Sequence, residues 1–291
     1  MAAEVRFEKV AITGGSGRLG QHVTARLEGV CDRLVVDLVA PAAEVAFSAV
    51  DVTDYPALLA AFAGCDAVIH LAAIPDPRSA PADLTFRTNV QGTFAVLQAA
   101  EDAGIRRVVL ASSDSVVGFH YDPPDWRPLY LPIDEAHPLR PTEFYSLSKR
   151  VGETIAESFA ARGRLEVVVI RPTHIVFPPE YPELEARGAD LHNYHVWTYV
   201  APEDVALAFR LALALPTVRF ETFFISAADG LNRLPTLALC RERYGRLPKI
   251  RRPEVYRRLP TASILDGSRA REILGFVPTS NWRRMRPPAP G

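Results

Sequence analysis

Along the first 170 residues, short β-branched runs alternate with longer alanine-rich stretches of helical period, the pattern of βαβ units feeding a parallel sheet. The strand candidates are Val10-Thr13, Leu34-Asp37, Ala67-Leu71, Val108-Ala111, Val167-Ile170 and Phe223-Ile225, with a weaker one near Phe47-Val50. Between them "LGQHVTARLEG" (19–29), "YPALLAAFAGC" (55–65), "DLTFRTNVQGTFAVLQAAEDAG" (83–104) and "FYSLSKRVGETIAESFAARG" (144–163) read as helices, several closing on a glycine stop. Past Arg171 the regularity fades, and proline clusters ("RPTHIVFPPEYPE", "RPPAPG") break the chain into shorter segments. The expectation is an α/β protein. A doubly wound core spans 1–170, and 171–291 form mainly a small substrate-binding subdomain with segments returning to the core.

Bulk numbers narrow the class. The chain has 291 residues, 48% of them hydrophobic, and a formal charge of -1. It has no run of like charge that would mark a nucleic-acid or membrane footprint. Cys31, Cys65 and Cys240 lie far apart and form no CxxC pair, which fits a reducing cytoplasm and argues against a disulfide framework or structural zinc. The N-terminal "MAAEVRFEKVAITGG" lacks the order of a signal peptide, and "VALAFRLALALPTV" is too short and too interrupted by Arg210 to span a bilayer. A soluble, cytoplasmic protein is expected.

The first predicted βα turn carries Gly15-Ser16-Gly17-Arg18-Leu19-Gly20, a G-x-G-x-x-G string, and Gly14 adds a frame Gly14-x-x-Gly17-x-x-Gly20. Backbone N–H groups approach a pyrophosphate only where no Cβ intervenes, and the following helix offers free donors to the anion. A packing turn is the plainer alternative. Asp37, twenty residues after Gly17 at the end of the second strand, shifts the balance, because a carboxylate there accepts from adenosine ribose hydroxyls. No arginine follows it to take a 2′-phosphate, so NAD is favoured over NADP. The turn residues Gly14, Gly17, Arg18, Leu19 and Gly20, with Asp37, are the first cofactor-binding candidates of a Rossmann-type sheet.

"EFYSLSKR" places Tyr145 and Lys149 four residues apart, on one helix face. A phenol near its ordinary pKa of about 10 is a poor base. A neighbouring ammonium is expected to lower it and make tyrosine a general acid/base. Only Lys9, Lys149 and Lys249 are lysines in this arginine-rich chain, a soft hint that an ammonium is wanted at 149. "VVLASSDSVVG" leaves a buried strand and turns polar at the carboxyl end of the sheet, where Ser113 is placed to bond a substrate oxygen.

As an ordered set these residues resemble the extended short-chain dehydrogenase/reductases, the NAD-dependent epimerase/dehydratase family. The likeness runs through "TGGSGRLG" (13–20), "DVTD" (51–54), "HLAA" (70–73), "NVQGT" (89–93), "ASSDSVVG" (111–118), "PIDEAHPLRPTEFYSLSK" (132–149), "VIRPT" (169–173), "YVAPEDVA" (199–206) and "GSRAREILGFVP" (267–278). The resemblance implies a pyrophosphate cradle at Gly14, Gly17 and Gly20, and Asp51 and Val52 beside adenine. Leu71, Ala72 and Ala73 would line the cofactor's path, and Asn89 would support the site. Catalysis would fall to Ser113, Tyr145 and Lys149, with Lys149 also on the nicotinamide ribose. His70 reads as structural.

The implied chemistry is hydride transfer at a secondary hydroxyl. Sugar dehydratases of the family carry an Asp-Glu pair after the active-site Ser/Thr. Here Asp114 keeps the first position, but Ser115 replaces the glutamate. Nucleotide-sugar epimerases usually carry "NVYGPG" where this chain has "HIVFPP", with His174 for the asparagine and Phe177 for the glycine. Their phosphate-gripping arginine aligns with Trp197, although Arg187 or Arg210 could compensate. "SSDSVVGF" and "TYVAPED" look more like uronate dehydrogenases, whose carboxylate-binding arginine falls at Tyr194. "HNYHVWTY" (192–199) suits stacking on a sugar face, or forms a lid without a ligand. His192 and His195 lack further ligands at metal spacing, so no metal is expected. Asp114, His174 and Trp197 join Ser113 as substrate-side candidates.

The favoured reading is an NAD-dependent oxidoreductase or epimerase acting on a sugar or sugar acid. A UDP-glucose 4-epimerase-like enzyme is the alternative, and a non-catalytic NAD(H) sensor a further one. A last reading takes an apolar alcohol into a pocket of Phe119, Trp126, Phe177 and Trp197. The insertion 119–132 is expected to wall the substrate site. A homodimer is expected through the helices carrying Asn89-Leu97 and Tyr145-Phe159.

Overall fold

In chain order the computed structural model, which describes residues 7–121 and 126–285, runs β1 (Lys9–Thr13), α1 (Arg18–Arg26), β2 (Asp32–Asp37), β3 (Ala46–Ala49), α2 (Tyr55–Ala61) and β4 (Ala67–His70). Next come α3 (Ala82–Phe86), a π-helical turn (Arg87–Gln91), α4 (Gly92–Asp102), β5 (Arg107–Ala111), β6 (Tyr130–Leu131), α5 (Phe144–Ala161) and β7 (Glu166–Pro172). The remainder is α6 (Leu184–Ala189), α7 (Pro202–Ala214), β8 (Phe220–Ile225), α8 (Thr236–Tyr244), β9 (Lys249–Ile250) and α9 (Pro253–Arg258).

Seven strands form one parallel sheet in the order β3-β2-β1-β4-β5-β7-β8. The order reverses between β1 and β4, so a crevice opens there at the carboxyl ends of the strands. The central strands are buried on both faces, which is why they read as continuous apolar runs. One face packs Val10, Ile12, Val109, Val168 and Phe223 against α1 and α7, and the other packs Ala11, Val36, Val68, Val108 and Val167 against α2, α4 and α5. Each such buried side chain contributes about 1.5–3 kcal/mol relative to exposure.

All seven expected strands are present. The expected single helix over 83–104 is instead α3, the π-turn and α4. The turn leaves Asn89 buried rather than carrying it around a regular helical face. The pair β6–β9 joins two-residue strands from distant segments. It helps frame a separate apolar core containing Val117, Phe119, Trp126, Leu131, Trp197, Leu239 and Ile264. Residues 122–125 of the insertion, the first six residues, and the terminal "RPPAPG" lie outside the described residues. Among the described residues no helix is long and apolar enough to cross a membrane.

Candidate active site

The turn after β1 is tight because glycine permits it. Gly14 has φ +72°, and a Cβ there would come within 2.5 Å of the Ala72 backbone nitrogen. A Cβ on Gly20 would strike the Gly14 carbonyl and come 2.7 Å from Gly15 Cα, so α1 docks against the turn only as glycine. The first turn of α1 has no side-chain cap and no acidic residue, leaving its N–H groups to an anion. Asp37 stitches the next loop to this turn: its carboxylate accepts from Ser16 N–H (3.0 Å) and Leu38 N–H (2.7 Å). Asp51 and Val52 flank the same opening, with Leu71, Ala72 and Ala73 behind it.

These residues share one cleft with Ser113, Tyr145 and Lys149. It encloses about 1420 Å³, whereas a single small-ligand pocket typically holds about 300–1,000 Å³. A dinucleotide and a second molecule therefore fit together. The bare glycine cradle, the ribose-height carboxylate and the uncapped helix suit NAD at one end.

At the other end α5 begins at Glu143, whose carboxylate accepts from Tyr145 N–H (2.6 Å) and caps the helix. One turn on, Lys149 Nζ donates to Ala111 O at the end of β5 (3.0 Å). A buried ionic cluster fixes that turn: Arg171 on β7 grips Glu153 through Nε (2.7 Å) and Nη2 (2.8 Å), and Ser112 Oγ donates to the same carboxylate (2.6 Å).

Ser113 Oγ accepts from Ser115 N–H (3.1 Å), lies 3.4 Å from Asp114 Oδ1, and is near enough to the Tyr145 phenol to favour its ionised form. The expected lowering of the Tyr145 pKa does not appear. Burial raises it, the Ser113 hydroxyl opposes this, and Tyr121, Asp114 and Glu143 raise it further. The Lys149 ammonium, one helical turn on, donates instead to the Ala111 carbonyl. Burial lowers Lys149 itself to about 8, against the attraction of Glu153.

Asn89 does not line the cleft. Its side-chain oxygen accepts from Ile74 N–H (2.8 Å), and its amide donates to Ile74 O (3.1 Å) and Ser148 Oγ (2.9 Å), bracing the loop after β4 against α5. His70 is buried between Thr13 Oγ1 (2.7 Å) and Thr93 Oγ1 (3.2 Å), and burial lowers it to about 3.

Beyond Tyr145 the wall is made of carboxyl, imidazole and phenol groups. Asp114 is fully buried, 3.4 Å from His120 Nδ1, and burial pushes it up to about 8 against hydrogen bonds from its neighbours. His174 stacks on His195 (ring centroids 3.7 Å), Tyr194 meets His195 edge-on (4.1 Å), and His120 lies 4.0 Å from Tyr194. Glu180 accepts from His174 Nε2 and from Arg187 Nη1, each at 2.8 Å. Burial works to raise Glu180, but His174 and Arg187 hold it well below the usual carboxylate range. From the glycine turn Arg18 reaches across, 3.3 Å from Glu180 and 4.0 Å above the Phe177 ring.

Trp197 corrects the expectation of a substrate contact. It is buried in the subdomain core and stacked on Tyr244 (5.9 Å), because the short 3-10 turn Tyr194–Trp197 sends Tyr194 and His195 to the cleft and Trp197 inward. Phe119 and Trp126 sit in the same core, which leaves Phe177 alone of the four supposed apolar-pocket residues on the cleft wall. Of the two arginines offered as compensators, Arg187 lines the cleft and Arg210 does not. His120, Tyr121 and Glu180 also line the cleft. The first two sit in the insertion expected to form a wall, whereas Glu180 carries no local signal.

Comparison with known proteins agrees with this geometry. The model of the NAD dependent epimerase/dehydratase family matches residues 10–191. L-arabinose 1-dehydrogenase (NAD(P)(+)) of Haloferax volcanii is 31% identical over 229 residues, covering 76% of this chain and 89% of that protein. Uronate dehydrogenase of Pseudomonas putida is 32% identical over 170 residues, covering 57% of this chain and 60% of its own. A short-chain dehydrogenase/reductase superfamily protein of Agrobacterium tumefaciens, solved with bound NAD, superposes with a TM-score of 0.71 at 26% identity, covering 96% of this chain and 94% of that one. With the sheet, the glycine cradle and a match over more than half its length, the chain belongs to the NAD-dependent epimerase/dehydratase family of enzymes and uses NAD.

Proposed function

We propose that this protein oxidises a secondary hydroxyl of a sugar or sugar acid, with Ser113, Tyr145 and Lys149 as its catalytic residues. The carrying observation is that these three side chains meet in the cleft that also holds the glycine cradle and Asp37. When bound, NAD accepts the hydride. Gly14, Gly17, Arg18, Leu19 and Gly20 hold the pyrophosphate end and Asp37 the adenosine ribose, while Lys149 reaches the nicotinamide ribose. Ser113 positions the substrate oxygen and Tyr145 takes its proton. Because burial opposes ionisation of the phenol, that transfer depends on the Ser113 hydroxyl, which favours the ionised form, and on the Lys149 ammonium turning from the Ala111 carbonyl towards the phenol.

Release of the oxidised product is favoured over epimerisation by the kinship with free-sugar dehydrogenases. The cofactor-binding core over 1–170 and the mainly substrate-binding remainder belong to the same proposal. So does a cytoplasmic homodimer: the three cysteines are free thiols, and Phe94 and Leu147 leave apolar surface exposed on α4 and α5. Light scattering on the purified protein tests the dimer.

Tyr145→Phe tests the catalytic assignment. NADH formation with a sugar panel should fall by roughly a hundredfold or more, with NAD binding retained. Full activity in that variant would remove the assigned acid/base.

A further inference from the structure

We infer that the substrate is uncharged, a neutral sugar or polyol rather than a sugar acid or sugar phosphate. It is selected by Glu180 and Glu183, which occupy the Arg187 guanidinium on the substrate wall. This rests on the dehydrogenase reading above and narrows it.

Of the Lys and Arg side chains that line the cleft, Arg18, Lys149 and Arg187 are engaged by other groups and Arg78 is largely exposed. Arg187 is the one guanidinium beside the imidazole stack. Its Nη1 donates to Glu180 (2.8 Å) and its Nη2 to Glu183 (2.6 Å), so both arms are spent on carboxylates. Arg18 is held by the other oxygen of Glu180 and by the Phe177 ring. Arg78 lies 3.8 Å from Asp76 and is largely exposed. Lys149 is turned to the Ala111 carbonyl, at the nicotinamide end. Asp190 adds a further carboxylate to the lining. His120 and His195 are kept neutral by burial. An anionic substituent lodged against the imidazole stack would lose its water and find the one guanidinium there already paired, a costly exchange in a buried site.

A neutral polyhydroxy molecule meets the opposite circumstances. His120 Nε2, His195 Nε2 and Asp114 Oδ2 are buried, on residues lining the cleft, without a hydrogen-bond partner among the described residues. The Asp114 carboxyl, neutral at pH 7, both donates and accepts. The faces of His174, His195 and Tyr194 offer apolar area for the C–H side of a ring. Rejection by occupied charge and acceptance by unspent neutral donors act in the same direction.

The test pairs each neutral sugar with its charged counterpart: galactose with galacturonate, and glucose with glucuronate and with glucose 6-phosphate, with L-arabinose as a further neutral sugar. NADH formation is followed with the full-length protein. The expected result is a kcat/KM for at least one neutral sugar roughly tenfold or more above every charged counterpart. A charged member oxidised as well as or better than its neutral partner overturns this inference while leaving the dehydrogenase reading intact. No NADH from any member overturns both.

A double variant, Glu180→Gln with Glu183→Gln, frees Arg187. Its ratio of acid to neutral-sugar kcat/KM should rise by roughly tenfold relative to the parent. An unchanged ratio would overturn the role given to the two glutamates, and because it compares two substrates in one protein it is insensitive to partial misfolding.

Discussion

Arg171 and Glu153 face each other across the junction of β7 and α5 in a two-pronged, buried ion pair of 2.7 and 2.8 Å. The pair sets α5 against the sheet at the turn that carries Lys149, so a packing interaction and the geometry of the proposed catalytic site share one contact. Glu153→Gln would strand the guanidinium without a counter-charge. Urea denaturation should show a loss of about 3–5 kcal/mol, and the Lys149 ammonium, deprived of the attraction that raises its pKa, should titrate below the parent's value of about 8.

Asp114 gives stability a pH dependence with a definite sign. Its pKa is raised to about 8 in the folded protein from an ordinary value near 4. The unfolded chain therefore carries fewer protons on this group between those values. Its contribution is complete below pH 4 and is lost as pH climbs through 8, with a slope of at most about 1.4 kcal/mol per pH unit. Asp114→Asn should flatten the decline in unfolding free energy between pH 5 and 8. A parallel decline in both proteins would show that Asp114 is ionised when folded.

Gly14→Ala places a methyl group against the Ala72 backbone in a left-handed conformation. The strain should cost about 1–3 kcal/mol of stability. It should also weaken NAD binding by roughly tenfold or more, read by calorimetry against the parent.

Asp37→Ser removes the carboxylate that would repel a 2′-phosphate and receive the ribose hydroxyls. The preference for NAD over NADP in kcat/KM should drop by roughly tenfold or more. A preference that survives the change would move the origin of cofactor selection away from Asp37.

Much of this architecture is legible one segment at a time. The central strands are covered on both faces, so they stand out as β-branched runs, and Gly14 and Gly20 stand out because backbone meets backbone there. Helical spacing puts Tyr145 and Lys149 on one face, and only the ordered set of motifs around them singles the pair out. What escapes is made by long-range meetings. Strands β6 and β9 have two residues each and exist only because distant segments are brought side by side. Glu180 acquires its role from Arg18, His174 and Arg187, three residues on separate segments. Trp197 misleads for a local reason: an aromatic run gives no sign that a 3-10 turn will rotate its last ring into the core. The Tyr145 phenol misleads for an electrostatic one, since spacing places an ammonium nearby but says nothing of how deeply the phenol is buried.

Arg107, wholly buried at the start of β5, binds Glu166 on β7 and donates to the carbonyls of Ala212, Leu213, Leu215 and Pro216 at the end of α7. A guanidinium from the first 170 residues thus has four of its oxygen partners in the segment that follows. Cutting the gene at the boundary would leave that cation in an oily interior with one carboxylate for company, and strip α7 from its seat on α1. Residues on both sides of position 170 thus depend on each other for burial and pairing, and neither part should be obtainable as an autonomous fragment.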